Sequence, residues 1–167
     1  MKKRILIVGG IKSGKSEFAL SFFKNKKAYF IATAQPKDSE MKKKINFHRK
    51  RRPKNFLTIE EPIKIVNKIK NFKKNSAILI DCVNIWIANM LNKYSENEIL
   101  TEVKSLCECL KKFKLTVLVS NEVGMSLVAV NRLGRKFQEL LGKVNQILSD
   151  WATDVYFLIT GIPVKIK

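Results

Sequence analysis

Residues Gly9-Gly10-Ile11-Lys12-Ser13-Gly14-Lys15-Ser16 follow directly on the apolar run Ile5-Leu6-Ile7-Val8. The pattern G-x-x-x-x-G-K-[ST] in that position demands a strand, a tight loop and a helix in immediate succession. Glycines at 9, 10 and 14 are expected to allow positive φ and a close backbone approach to a polyphosphate. Successive amide N–H groups and the start of the following helix would then form an anion cradle. Lys15 would reach the outer phosphates, and the Ser16 hydroxyl would ligate Mg²⁺. The plainer reading is a glycine-rich strand–helix turn that happens to carry Lys-Ser. Spacing and context agree, so the chain is read as binding a nucleoside triphosphate.

The rest of the chain suits that frame. Its 167 residues are expected to form a single domain spanning 1–167, and 46% hydrophobic content argues for a packed core. The longest apolar stretches are interrupted by charges, so no membrane span is expected. The basic N-terminus leads into a strand-length apolar run rather than a signal peptide. Cys82, Cys107 and Cys109 contain no CxxC pair, which suits reduced packing thiols in a cytoplasmic protein. Net charge is +19, and residues 1–74 hold 22 of the 33 Lys and Arg against 5 of the 14 acids. That could draw nucleic acid as well as nucleotides. Aromatics are not interleaved with the basic runs, however, so the Lys excess reads as solvated surface and no nucleic-acid partner is expected.

Strand-like runs alternate with amphipathic helical stretches, which predicts an α/β domain with a mostly parallel sheet flanked by helices. Strands are expected at Ile5–Val8, Ala28–Ala32, Ala77–Ile80, Thr116–Val119 and Val155–Ile159. Helical spacing covers Lys15–Lys24, Ser39–Arg51, a stretch from Ile63 towards Lys70, Val83–Leu91, Glu96–Phe113 and Leu133–Ala152. Ligands of such sheets sit beyond the carboxyl ends of the strands. Here those ends carry the phosphate loop, then Thr33 and Gln35, then Asp81, then Asn121 and Glu122. Asp81, after Ala-Ile-Leu-Ile, fits the acid that holds Mg²⁺ directly or through water. It fits a helix cap as well.

His48 is the one histidine, set among Arg49, Lys50, Arg51 and Arg52. A lone histidine is most often a surface or core residue. Neighbouring cations, though, lower an imidazole pKa and keep its nucleophilic form available. They could also bind a triphosphate or a leaving pyrophosphate. A neutral His48 attacking an α-phosphate would give a covalent nucleotidyl–enzyme.

These residues resemble a known family almost end to end. The phosphate loop at 9–16 and Tyr29–Ala34 are similar to the bifunctional adenosylcobinamide kinase / adenosylcobinamide-phosphate guanylyltransferase family. So are Asp38-Ser-Glu-Met41, Ile45-x-x-His48-Arg49, Arg52-Pro53, Thr58–Pro62, Asp81-Cys82 with Trp86–Asn89, and Ser120–Gly124. Asn131–Leu133, Gly142–Gln146 and Gly161–Pro163 complete the match. The resemblance implies two reactions. A nucleoside triphosphate, GTP or ATP, phosphorylates the aminopropanol hydroxyl of adenosylcobinamide. GTP then places GMP on a histidine, and GMP passes to the phosphorylated cobinamide. By position, His48 is the guanylylated nucleophile. Gly9 to Ser16, Thr33, Ala34, Gln35, Arg49, Lys50, Arg51, Arg52, Glu60 and Asp81 match nucleotide-contacting segments. The resemblance also implies a homotrimer acting on a small-molecule corrinoid.

Four positions depart from the family's usual pattern: Asn84 for Thr, Ser126 for Gly, Ala129 for Pro and Val130 for an acid. Ser126, Ala129 and Val130 fall in a loop read as corrinoid-contacting, and Asn84, at the start of the helical stretch 83–91, is read with them. A narrower expectation is guanylyl transfer alone. A different class, a basic phosphate-loop ATPase on nucleic acid, predicts polynucleotide-stimulated hydrolysis and gains nothing from a unique histidine among arginines.

Overall fold

The computed structural model describes residues 2–24, 26–36, 39, 42–43, 45–46, 49 and 52–167. Strand β1 (Lys3–Gly9) runs through the phosphate loop into α1 (Lys15–Ser21). Then come β2 (Ala28–Ala32), β3 (Phe56–Glu60), α2 (Ile65–Ile69), β4 (Ala77–Asp81), α3 (Val83–Leu91) and α4 (Glu96–Leu110). The chain closes with β5 (Leu115–Val119), α5 (Arg132–Trp151), β6 (Asp154–Ile159) and β7 (Ile162–Lys165). The seven strands order as β3-β2-β4-β5-β1-β6-β7. All pairs are parallel except β6 with β7.

Central strands buried on both faces lose the polar alternation of a half-exposed sheet. Every residue of β5 is buried, as are the last five of β1. Alternate side chains serve two cores. Leu6, Val8, Ile78, Ile80 and Leu118 pack with α2, α3, α4 and α5, whereas Ile5, Ile7, Leu79, Val117 and Val119 pack with α1. Trp86 is the largest fully buried side chain, and its indole N–H donates to Ile63 O at 2.8 Å. Trp86→Ala is therefore expected to cost about 3–5 kcal/mol in chemical denaturation, through the cavity and the orphaned carbonyl.

The expected α/β class and mostly parallel sheet are present. Three details differ from the expectations drawn from sequence. The first helix stops at Ser21, where Phe22 and Phe23 donate to Ala19 O and Leu20 O in a tightened turn. The segment after Pro62 forms only the short α2, although Ile65, Val66 and Ile69 are buried as its spacing implies. Two edge strands, β3 and β7, fall outside the expected set. β7 is exposed throughout and holds Pro163, which only an edge tolerates. Of the predicted helix at 39–51, the described residues Ser39, Lys42, Lys43, Ile45, Asn46 and Arg49 are helical. Met41, His48 and Arg51 lie outside the described residues.

Candidate active site

The phosphate loop leaves β1 at the carboxyl edge of the sheet, flanked by β5 on one side and β6 on the other. Two of its glycines are required by geometry. Gly9 has φ +150°, and a Cβ there would meet Leu158 O at 2.6 Å; Gly14 has φ +88°. Gly10, unlike Gly9 and Gly14, does not take the expected positive φ. Lys12 instead takes the left-handed turn, with φ 56°. The loop is pinned from outside as well, because Gly161 N donates to Ser13 O at 3.2 Å.

Lys15 is 7% exposed, and its ammonium donates to Gly10 O at 2.5 Å and to Ser13 Oγ at 3.3 Å. Burial pushes its pKa down, while Cys82 and Asp81 pull it back up. The lysine is thus folded over its own loop, within the field of the acid at the end of β4. A polyanion entering the loop would offer stronger acceptors than a neutral carbonyl and a hydroxyl. Ser16 follows Lys15 in the first turn of α1 and is half-buried.

The neighbouring strand ends are clamped together. The Thr33 hydroxyl donates to Cys82 O at 2.8 Å and accepts from Cys82 N at 3.1 Å, joining the ends of β2 and β4. Asn89 Nδ2 donates to Thr33 O at 2.9 Å and to Pro62 O at 3.1 Å, so α3 holds the exits of β2 and β3. Ala34 and Gln35 follow Thr33 and are half-buried. Asn89 carries no sequence signal of this role beyond its place one turn past Trp86. Desolvation pushes the Cys82 thiol up to about 12, with Asp81 adding to the rise.

Arginines come to the same edge. The Arg52 guanidinium lies 4.1 Å from the Phe30 ring centroid, and its Nε and Nη1 are buried without a hydrogen-bond partner among the described residues. Burial lowers its pKa, and Asp81 and Glu60 oppose that shift. Buried guanidinium donors without acceptors suit an incoming phosphate or carboxylate. Arg49 forms an exposed ion pair with Glu60, the last residue of β3. His48, Lys50 and Arg51 lie outside the described residues.

A cavity of about 460 Å³ adjoins the phosphate loop, walled by Gly10, Lys12 and Ser13 on one side and by Met125, Phe157 and Ile159 on another. The sequence does not signal that the β6 end belongs here. Its alignment beside β1, with Leu158 level with Gly9, is a long-range pairing with no local signature.

No helix among the described residues is long and apolar enough to cross a membrane. Residues 5–166 match the family described as cobinamide kinase / cobinamide phosphate guanyltransferase. The bifunctional adenosylcobalamin biosynthesis protein CobU of Escherichia coli K12 is 35% identical over 179 residues, covering 98% of this chain and 99% of its own. The protein of that description called CobP in Pseudomonas aeruginosa is 33% identical over 168 residues, covering 98% and 97%. Among solved structures, a protein of Pyrococcus horikoshii OT3 superposes with TM-score 0.56 at 10% identity, over 99% of this chain and 86% of that one. That likeness shows a shared fold alone. The family match and the end-to-end relatives lead to one conclusion: this chain belongs to the cobinamide kinase / cobinamide phosphate guanyltransferase family of nucleotide-using enzymes.

Proposed function

We propose that the chain performs two transfers from triphosphates held in the loop at 9–16. In the first, the γ-phosphate of GTP or ATP passes to the aminopropanol hydroxyl of adenosylcobinamide. In the second, His48 attacks the α-phosphate of GTP, pyrophosphate leaves, and GMP passes from His48 to the phosphorylated cobinamide. The observation that supports this best is the phosphate loop itself. Its buried Lys15 lies within the field of Asp81, and Arg52 offers donors unpartnered among the described residues at the same sheet edge.

Each residue has a definable task. Amides of Gly10 to Ser16 and the Lys15 ammonium would bind and orient the phosphates, which is most of what phosphoryl transfer asks of a protein. Arg49 and Arg52 follow His48 in sequence and would neutralise the departing pyrophosphate, with Glu60 holding Arg49. Thr33, Ala34 and Gln35 would border the nucleotide at the end of β2. The Cys82 thiol, at about 12, stays neutral near pH 7 and is a poor rival to an imidazole.

The Ser16 hydroxyl and Asp81 carboxylate are hard oxygen donors suited to Mg²⁺. Those two side chains, at the start of α1 and the end of β4, would hold the ion beside the phosphate loop. When bound it supplies neutralisation of phosphate charge. Kinship with the family supports a homotrimer in the cytoplasm acting on a corrinoid.

Two labelled substrates test the proposal. With GTP or ATP labelled at the γ-phosphate, label should move to cobinamide. With GTP labelled at the α-phosphate, label should stay on the protein, stable to alkali and labile to acid. Failure of either label to move would remove the corresponding half of the proposal.

A further inference from the structure

We infer that Glu122 is the general base of the phosphoryl transfer, accepting the proton of the acceptor hydroxyl. The assignment rests on the kinase half of the reading above. It comes from how β5 leaves the sheet. The parallel ladder with β1 continues past Val119, as Ser120 N donates to Ile7 O at 2.9 Å and Glu122 N to Gly9 O at 3.0 Å. Glu122 is thereby tied through its backbone to the first residue of the phosphate loop. One carboxylate oxygen, Oε1, accepts from Gly124 N at 2.5 Å, which orients the side chain.

That side chain lines the 460 Å³ cavity, and it is the only carboxylate among the described residues that do. The cavity has two chemical characters. Gly10, Lys12 and Ser13 present the phosphate loop, whereas Met125, Phe157 and Ile159 present an apolar wall suited to an organic acceptor. A carboxylate at their junction stands where an alcohol would meet a γ-phosphate. Asp81, the other acid facing the loop, lies in the field of Lys15 and Arg52 and does not line this cavity.

The step balances without a further reagent. The acceptor oxygen forms a bond to the γ-phosphorus while the bond from that phosphorus to the β,γ-bridging oxygen breaks. The departing diphosphate takes the bond's electron pair. The hydroxyl proton moves to the Glu122 carboxylate, which then releases it to solvent. Among the described residues, Lys12 is the one other charged side chain that lines the cavity with Glu122. Phe157 to Thr160, from the β6 side, carry no charge.

Glu122→Gln is the informative variant, because its amide oxygen can still accept from Gly124 N and only proton acceptance is lost. Full-length enzyme is assayed with cobinamide and γ-labelled triphosphate for kcat and KM, and with α-labelled GTP for protein-bound label. We expect kcat for γ-phosphoryl transfer to fall about 10²- to 10⁴-fold. Nucleotide KM and the protein-bound guanylate should stay at wild-type levels. A kcat within about twofold of wild type would overturn the assignment. So would a matched loss of nucleotide affinity, which would make Glu122 a brace for the loop. Wild-type enzyme that passes no γ-phosphate to cobinamide would sink the kinase reading itself, and the assignment with it.

Discussion

Replacing His48 by alanine is expected to remove protein-bound guanylate while leaving triphosphate binding and γ-phosphoryl transfer in place. A covalent intermediate needs a nucleophile, and deleting one that carries the chemistry typically costs 10³-fold or more, on the order of 4 kcal/mol of barrier. The described alternatives are poor. Cys82 sits at about 12 and Cys107 at about 11, so both are neutral thiols near pH 7. The Lys15 ammonium is engaged with Gly10 O and Ser13 Oγ. His48 has no part in the loop at 9–16 proposed to hold the β- and γ-phosphates, so the kinase step should survive its loss. The measurement is label from α-labelled GTP on wild type and variant, with γ-label transfer to cobinamide followed in parallel. Guanylate retained by the His48→Ala protein would eliminate His48 as nucleophile.

The separation of effects depends on which features are local in the chain. Strand, glycine loop and lysine are contiguous, so the phosphate loop is legible in the sequence alone. The same holds for the amphipathic α5, found at Arg132–Trp151 against an expected Leu133–Ala152. The edges are not legible in that way. β3 follows a charged stretch and keeps no buried residue, and β7 carries Pro163 and is exposed throughout, so their short apolar runs are hard to tell from loop. Glycine content also overstates the loop's need for positive φ, because Gly10 does not take it while Lys12 makes the left-handed turn.

The site itself divides along the same line. Asp81 and Thr33 can be read from strand ends, because the carboxyl-edge rule needs only the strand. Their coupling cannot. The hydroxyl clamp between Thr33 and Cys82 spans 49 residues of sequence, and the Asn89 bridge to Thr33 spans 56. Glu122 is visible as a strand-end residue, yet its place beside Gly9 depends on β5 lying between β4 and β1. Sheet order is a property of the whole chain, and no window of sequence contains it.

Lys15→Ala should, in contrast to His48→Ala and Glu122→Gln, suppress both transfers together. Among the described residues its ammonium is the one buried cation on the phosphate loop, and charge-assisted bonds to phosphate are worth about 1.5–3 kcal/mol each. Losing them should weaken triphosphate binding by about 100-fold, equivalent to about 2.7 kcal/mol. Thermal unfolding with and without nucleotide reads this directly. At 100 times its Kd, a triphosphate stabilises wild type by about 2.7 kcal/mol; the same concentration would give the variant only about 0.4 kcal/mol. The nucleotide-free comparison separates binding from folding. In the free protein Lys15 satisfies Gly10 O and Ser13 Oγ, both of which border a cavity open to water once the side chain is cut. Desolvation already opposes the buried charge. The variant's unfolding without nucleotide should therefore stay near that of wild type while most of its response to nucleotide is lost. A Lys15→Ala protein that keeps the full nucleotide-induced shift would show that residues 9–16 do not cradle the phosphates, and both proposed reactions would then need another site.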